Sequence, residues 1–321
     1  MRRYLVVQIA ITIMFLLLGN IAIAILSGNS IPRQHLRKFE KSSRATDVFL
    51  GNSTIASGVN TDLFLSLSPG SVPMNIALQS TTPVEHLLIY AKLENQSHNR
   101  LFYGFFGTQL TDELYGNSES LVGTRSMSYY IMPELAEQVM RFNSVWSRLC
   151  FRLQGRFPAF VERFKIWSKV EKFRRMIDRI GLPPAEENVF GRTKDIQILD
   201  ATADDLANNC HDVVMNQKPF SLAVTRLLYL AGERNVKVTM IEMPRSSSYR
   251  NLVNSRQFWT SYREHLARLM SDAGAIYIDA TDWVPDDEFV DNLHLSSNGS
   301  KRFTARLVAC MKRFQLQNAF E

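Results

Sequence analysis

The sequence predicts an α/β fold: three layers, a mostly parallel sheet between two sets of helices, with a helical insertion and an N-terminal transmembrane helix. Three observations carry this. Short apolar runs suited to buried strands alternate with amphipathic helical patterns, the signature of strand–helix–strand units. One long stretch, about residues 112–215, breaks that alternation with helical periodicity of its own. The first 27 residues hold an almost unbroken apolar run.

Taken in order, Arg2 and Arg3 precede the apolar run Tyr4–Leu26, interrupted only by Gln8, Thr12, Gly19 and Asn20. That matches the ~20 residues a helix needs to cross ~30 Å of hydrocarbon. The exit Ile25-Leu26-Ser27-Gly28-Asn29 offers no small-residue cleavage site, so the run reads as an uncleaved anchor over residues 1–27. Residues 28–45 are polar and basic with one proline, Pro32, and read as a tether. Arginines and lysines lie on both sides of the anchor (Arg2 and Arg3 before it; Arg33, Arg37, Lys38, Lys41 and Arg44 after it), so charge alone does not fix its direction. A catalytic domain outside the cytoplasm is the expectation.

Residues 46–321 form the globular part. Strands are expected at Asp47–Gly51, Val72–Leu78, Arg100–Phe106, Val236–Met243 and Ala275–Ile278. Helices are expected at Thr82–Leu93, Phe220–Glu233, Ser255–Asp272 and Asn298–Phe314. Parallel sheets of this kind bind ligands at the carboxyl ends of their strands. Within the insertion, Arg156–Ile180 sets aromatic and aliphatic residues on one face and seven Lys or Arg on the other. Such a helix lies on an anionic membrane surface or packs its aromatic face on the domain.

Composition is that of an ordinary globular protein, 45% apolar and 21% charged. The net charge of +6 is too small and too dispersed to indicate nucleic acid, but it suits phospholipid headgroups or acidic polymers. Cys150, Cys210 and Cys310 form no paired motif and read as small buried residues. No carboxylate–histidine cluster has metal-ligand spacing, and no motif calls for a cofactor.

The residues that carry chemistry sit at the two ends of the domain. A serine becomes a nucleophile when a histidine takes its proton and a third group orients that histidine. Ser53 follows the first strand directly, after Gly51-Asn52, where a tight turn exposes it at the sheet's carboxyl edge. Asp291-Asn292-Leu293-His294 lies in a polar loop before the last helix, and Asp and His at that spacing can hydrogen-bond to each other. His35, His86, His98, His211 and His265 have no comparable setting and read as structural or solvated. Glu242, at the end of the fourth strand, reads as a strand-end residue bonded to backbone.

Gly-Asn-Ser after the first strand with Asp-x-x-His before the last helix resembles the SGNH (GDSL-like) hydrolase superfamily. The resemblance covers about residues 45–315 and implies a flavodoxin-like sheet. It also implies Ser53 as nucleophile, His294 as general base and Asp291 as its orienter. The family's two middle blocks are altered here. Asn75 offers the second block's asparagine, but Ser80 stands where a glycine is expected. In the third block Phe106-Gly107-Thr108-Gln109 places Gln109 where the family has an asparagine donor. Backbone N–H groups of Ser53 and Ser80, with Gln109, are the expected oxyanion donors.

The resemblance implies a serine esterase or O-acyltransferase that takes an acyl donor and a carbohydrate or polymer acceptor of the cell envelope. The other reading is a non-catalytic scaffold or binding subunit of an envelope-modifying complex, which keeps the fold and has lost the middle blocks.

Overall fold

The computed structural model describes residues 2–26, 45–78, 81–93, 98–111, 132–140, 142, 144–155 and 196–317. The expected helix 156–180, Ser80, His35 and most of the tether lie outside them.

The first element, α1 (Arg2–Leu26), is 25 residues long and so extends about 37 Å. Its described side chains are almost all exposed, and it is long and apolar enough to cross a membrane. The polar interruption at Thr12 is absorbed internally, its hydroxyl donating to the Gln8 carbonyl at 2.9 Å.

Five strands follow: β1 (Asp47–Gly51), β2 (Pro73–Asn75), β3 (Arg100–Phe105), β4 (Lys237–Glu242) and β5 (Ile276–Asp279). All pair in parallel, in the order β2-β1-β3-β4-β5. The central strands β1, β3 and β4 are buried on both faces, which is why they read as near-continuous apolar runs. Alternate residues feed two cores. Val48, Leu50, Leu101, Tyr103, Val238 and Met240 point to one. Phe49, Phe102, Ile241 and Ile278 point to the other. In the second, Phe49 stacks on Phe102 at 4.8 Å and meets Phe64 edge-on at 5.0 Å.

Helices cover both faces. On the Phe49 side lie α2 (Ser53–Gly58), α3 (Thr61–Leu67) and the C-terminal α10 (Ser297–Gln317), through Ile55, Phe64, Phe303 and Leu307. On the Val48 side lie α4 (Pro83–Ala91), α7 (Ile196–Met215), α8 (Leu222–Glu233) and α9 (Trp259–Asp272). The short helices α5 (Pro133–Val139) and α6 (Val145–Gly155) add Ala136, Val139 and Phe151 to the same core. Helix α7 closes the segment read as an insertion, yet it serves as a layer helix, burying Ala203, Cys210 and Val213.

Two boundaries differ from expectation for physical reasons. Ser255–Asp272 does not start as one α-helix. A short helix, Ser247–Tyr249, runs into a π-turn at Arg250–Asn254, and α9 starts only at Trp259 after Phe258 takes a left-handed conformation. In the second strand only Pro73–Asn75 is regular, but the pairing runs on: Ile76 and Leu78 donate to the carbonyls of Phe49 and Gly51 at 2.9 and 3.2 Å.

Candidate active site

Ser53 is placed by the junction of β1 and α2. Gly51 and Gly104 are register partners on adjacent parallel strands. A Cβ on Gly104 would fall 1.9 Å from Ile55 Cγ1, and one on Gly51 would fall 2.6 Å from the Gly104 carbonyl. Their missing side chains let Ile55 drop onto the sheet, which draws the first turn of α2 down against it. Gly51 also has φ +151°, a conformation L residues rarely adopt. Asn52 caps α2, its Oδ1 accepting from the Thr54 backbone N–H at 3.0 Å and the Thr54 hydroxyl at 2.8 Å.

His294 and Asp291 come from the loop between β5 and α10. The loop closes on itself, with Val290 N–H donating to the His294 carbonyl (2.9 Å) and Ser296 N–H to the Glu288 carbonyl (2.8 Å). Asp291 Oδ1 accepts from the backbone N–H groups of Leu293 (2.8 Å) and His294 (2.7 Å), which turns the histidine back over its own aspartate. His294 Nδ1–H donates to Asp291 Oδ2 at 2.7 Å. With Nδ1 protonated, Nε2 carries the lone pair, and it lies 2.9 Å from Ser53 Oγ. Both side chains are largely covered, 17% exposed for His294 and 19% for Asp291, so the pair is screened but reachable. Burial opposes ionisation of Asp291, but hydrogen bonds from His294 and from the two backbone N–H groups outweigh it. The carboxyl therefore ionises below the usual aspartate range.

A second set of residues, not anticipated from the sequence, grips this loop from outside. The segment leaving β4 carries three consecutive serines. Ser246 N–H donates to the Asn292 carbonyl at 3.2 Å, and the hydroxyls of Ser246 and Ser248 reach Asn292 Oδ1 at 3.3 and 3.1 Å. Ser247 N–H donates to Asp286 Oδ1 at 2.6 Å. Asn292, between the aspartate and the histidine in sequence, is thus the point at which the loop is clamped.

The middle-block residues divide. Gln109 is buried on the turn after β3, and its Oε1 accepts from Asn52 Nδ2 at 3.4 Å, beside the serine. That turn is itself pinned, with Tyr262 donating to the Gly107 carbonyl (3.3 Å) and Ser221 N–H to the Leu110 carbonyl (2.8 Å). Asn75 uses its side chain on scaffolding, donating to the Ile55 carbonyl at 3.2 Å and accepting from Ala77 N–H at 3.1 Å. It steadies β2 against α2 and makes no hydrogen bond to Ser53 or His294.

The remaining described histidines do structural work. His86 is fully buried between Tyr103 OH (2.8 Å) and Thr81 Oγ1 (2.9 Å), and burial pushes its pKa down to about 3. His98 bonds Tyr90 OH at 3.1 Å, His265 donates to the Lys218 carbonyl at 2.7 Å, and His211 packs on Phe258. Glu242 is bound by side chains where backbone was expected: Tyr277 OH donates to it at 2.6 Å, and Arg263 lies at 3.1 Å.

The arrangement joins a hydroxyl, an imidazole with its lone pair facing that hydroxyl, and an ionised carboxylate on the far ring nitrogen. Such a set can make an alkoxide-like nucleophile at neutral pH.

No protein-family model matches the chain, and no curated protein matches it. Among solved structures it is similar to a protein of Bacteroides fragilis designated an acylhydrolase, at TM-score 0.41 and 11% identity, over 89% of this chain and 97% of that one. It is also similar to a GDSL-like lipase of Bacteroides thetaiotaomicron, at TM-score 0.38 and 9% identity, over 88% and 98%.

Proposed function

We propose that this chain is a membrane-anchored serine esterase or O-acyltransferase of the SGNH type, acting on acyl esters of a cell-envelope carbohydrate or polymer. The single observation behind it is the unbroken line Ser53 Oγ, His294 Nε2, His294 Nδ1, Asp291 Oδ2, with contacts of 2.9 and 2.7 Å.

In this mechanism Ser53 Oγ attacks the acyl carbonyl carbon as its proton passes to His294 Nε2. Asp291 stabilises the imidazolium and stays ionised. The tetrahedral oxyanion is held by the Ser53 backbone N–H and the Gln109 side-chain amide, with the Ser80 N–H as a further donor. On collapse, the proton moves from Nε2 to the departing alkoxide, which leaves an ester on Ser53. Water, or an acceptor hydroxyl, is then deprotonated by His294 and attacks that ester, and the serine regains its proton. Hydrolysis and transfer differ only in this second nucleophile. Helix α1 as a membrane anchor and the +6 net charge support a site held near an anionic surface, and the same proposal puts the domain on the extracytoplasmic side.

The test is labelling of the full chain in detergent with a fluorophosphonate, beside Ser53→Ala and His294→Ala. Labelling lost in both variants supports an activated serine. A folded wild type that takes no label would defeat the mechanism and leave the non-catalytic scaffold as the better account.

A further inference from the structure

Two amides beside the nucleophile are oriented by one backbone group. Asn52 and Gln109 lie 57 residues apart, on the turns after β1 and β3, and both are buried. The Thr54 backbone N–H can only donate. The Asn52 atom it meets at 3.0 Å must therefore be the carbonyl oxygen, which the Thr54 hydroxyl also approaches at 2.8 Å. This forces Asn52 Nδ2 towards Gln109. A donor arriving there at 3.4 Å requires Gln109 to present Oε1, which leaves Gln109 Nε2, with its two hydrogens, to donate elsewhere.

Building on the serine-esterase reading, we propose that Asn52 is a positioning residue that sets the Gln109 amide so that Nε2 donates to the oxyanion formed on Ser53. The Asn at position 52 and the Gln at position 109 are then one linked device. An aspartate at 52 would still cap Thr54 but would offer Gln109 only lone pairs. The glutamine amide would rotate to give Nε2 to that carboxylate, turning Oε1, a repulsive group, towards the developing negative charge.

The experiment measures kcat and KM of the full chain in detergent with p-nitrophenyl acetate. The proteins are wild type, Asn52→Asp, Gln109→Ala and the double variant, with Tm recorded for each. Asn52→Asp and Gln109→Ala should each lower kcat by about 10²–10³-fold with KM nearly unchanged. The double variant should be no slower than Gln109→Ala alone, because both act through one donor. Gln109→Glu gives a second route should Asn52→Asp fold poorly. Its carboxylate still accepts from Asn52 but puts an oxygen where Nε2 was, so kcat should fall as far.

Unchanged kcat in Asn52→Asp or in Gln109→Glu, or losses that multiply in the double variant, would overturn the inference while leaving the esterase reading intact. A wild type with no turnover and no fluorophosphonate label on Ser53 would remove both.

Discussion

Gly51 and Gly104 face each other across two parallel strands, and Ile55 occupies the room that their absent Cβ atoms leave. The depth at which the Ser53 helix, α2, sits on the sheet is therefore set by two hydrogens. Gly104→Ala should lower stability by about 1–3 kcal/mol, the usual range for overpacking a core. Denaturant titration measures it, and the added loss should shrink when the same change is made on an Ile55→Ala background. An equal loss on both backgrounds would mean that Ile55 is not what the alanine strikes.

Asp291→Asn tests the direction of the proton. The asparagine keeps an oxygen for the two backbone N–H groups, so its NH₂ faces His294 Nδ1. Nδ1 must then accept, the ring proton moves to Nε2, and the base facing Ser53 is lost. Ester turnover should fall by about 10⁴-fold with little change in Tm. Turnover within tenfold of wild type would count against Asp291 as the orienting group.

Asn292→Ala removes the acceptor of two serine hydroxyls without touching the side chain of Ser53, Asp291 or His294. Loosening the loop should reduce kcat by roughly 10–100-fold at near-constant KM, since small misplacements of a base weigh heavily on rate. The lost hydrogen bonds should lower stability by about 1–2 kcal/mol. A drop in Tm with unchanged kcat would make the clamp purely structural.

His86 predicts an acid sensitivity. Its folded pKa, about 3, lies below the unfolded 6.5, so the unfolded chain binds the extra proton and stability rises with pH across that interval. Below pH 6.5 the protein should lose up to about 1.4 kcal/mol per pH unit from this residue. Between pH 6.5 and 5 few carboxylates titrate, so the slope of unfolding free energy there should be smaller in His86→Gln. An identical slope would show that the buried ring is not the source.

The placement of Ser53 at the end of β1, and of Asp291 beside His294, was legible because each depends on local sequence: a glycine turn after an apolar strand, and a three-residue spacing in a loop. The central strands were legible because burial on both faces writes their residues as apolar runs. The Ser246–Ser248 clamp was not, since its partner Asn292 is 44 residues beyond Ser248 and serines in a turn carry no periodicity. The late start of α9 was hidden as well. Ser255–Trp259 continues the helical pattern, and only the left-handed Phe258 stops the helix. Asn75 matched a motif position, but its amide is occupied by backbone groups that the sequence does not reveal.

Ser53 and His294 are separated by 241 residues, and the loop bearing the histidine leads into α10, the last helix among the described residues. In a growing chain Ser53 is therefore made long before His294, and the contact between them waits on the folding of the loop before α10. Until that contact forms, Ser53 carries only an ordinary alcohol.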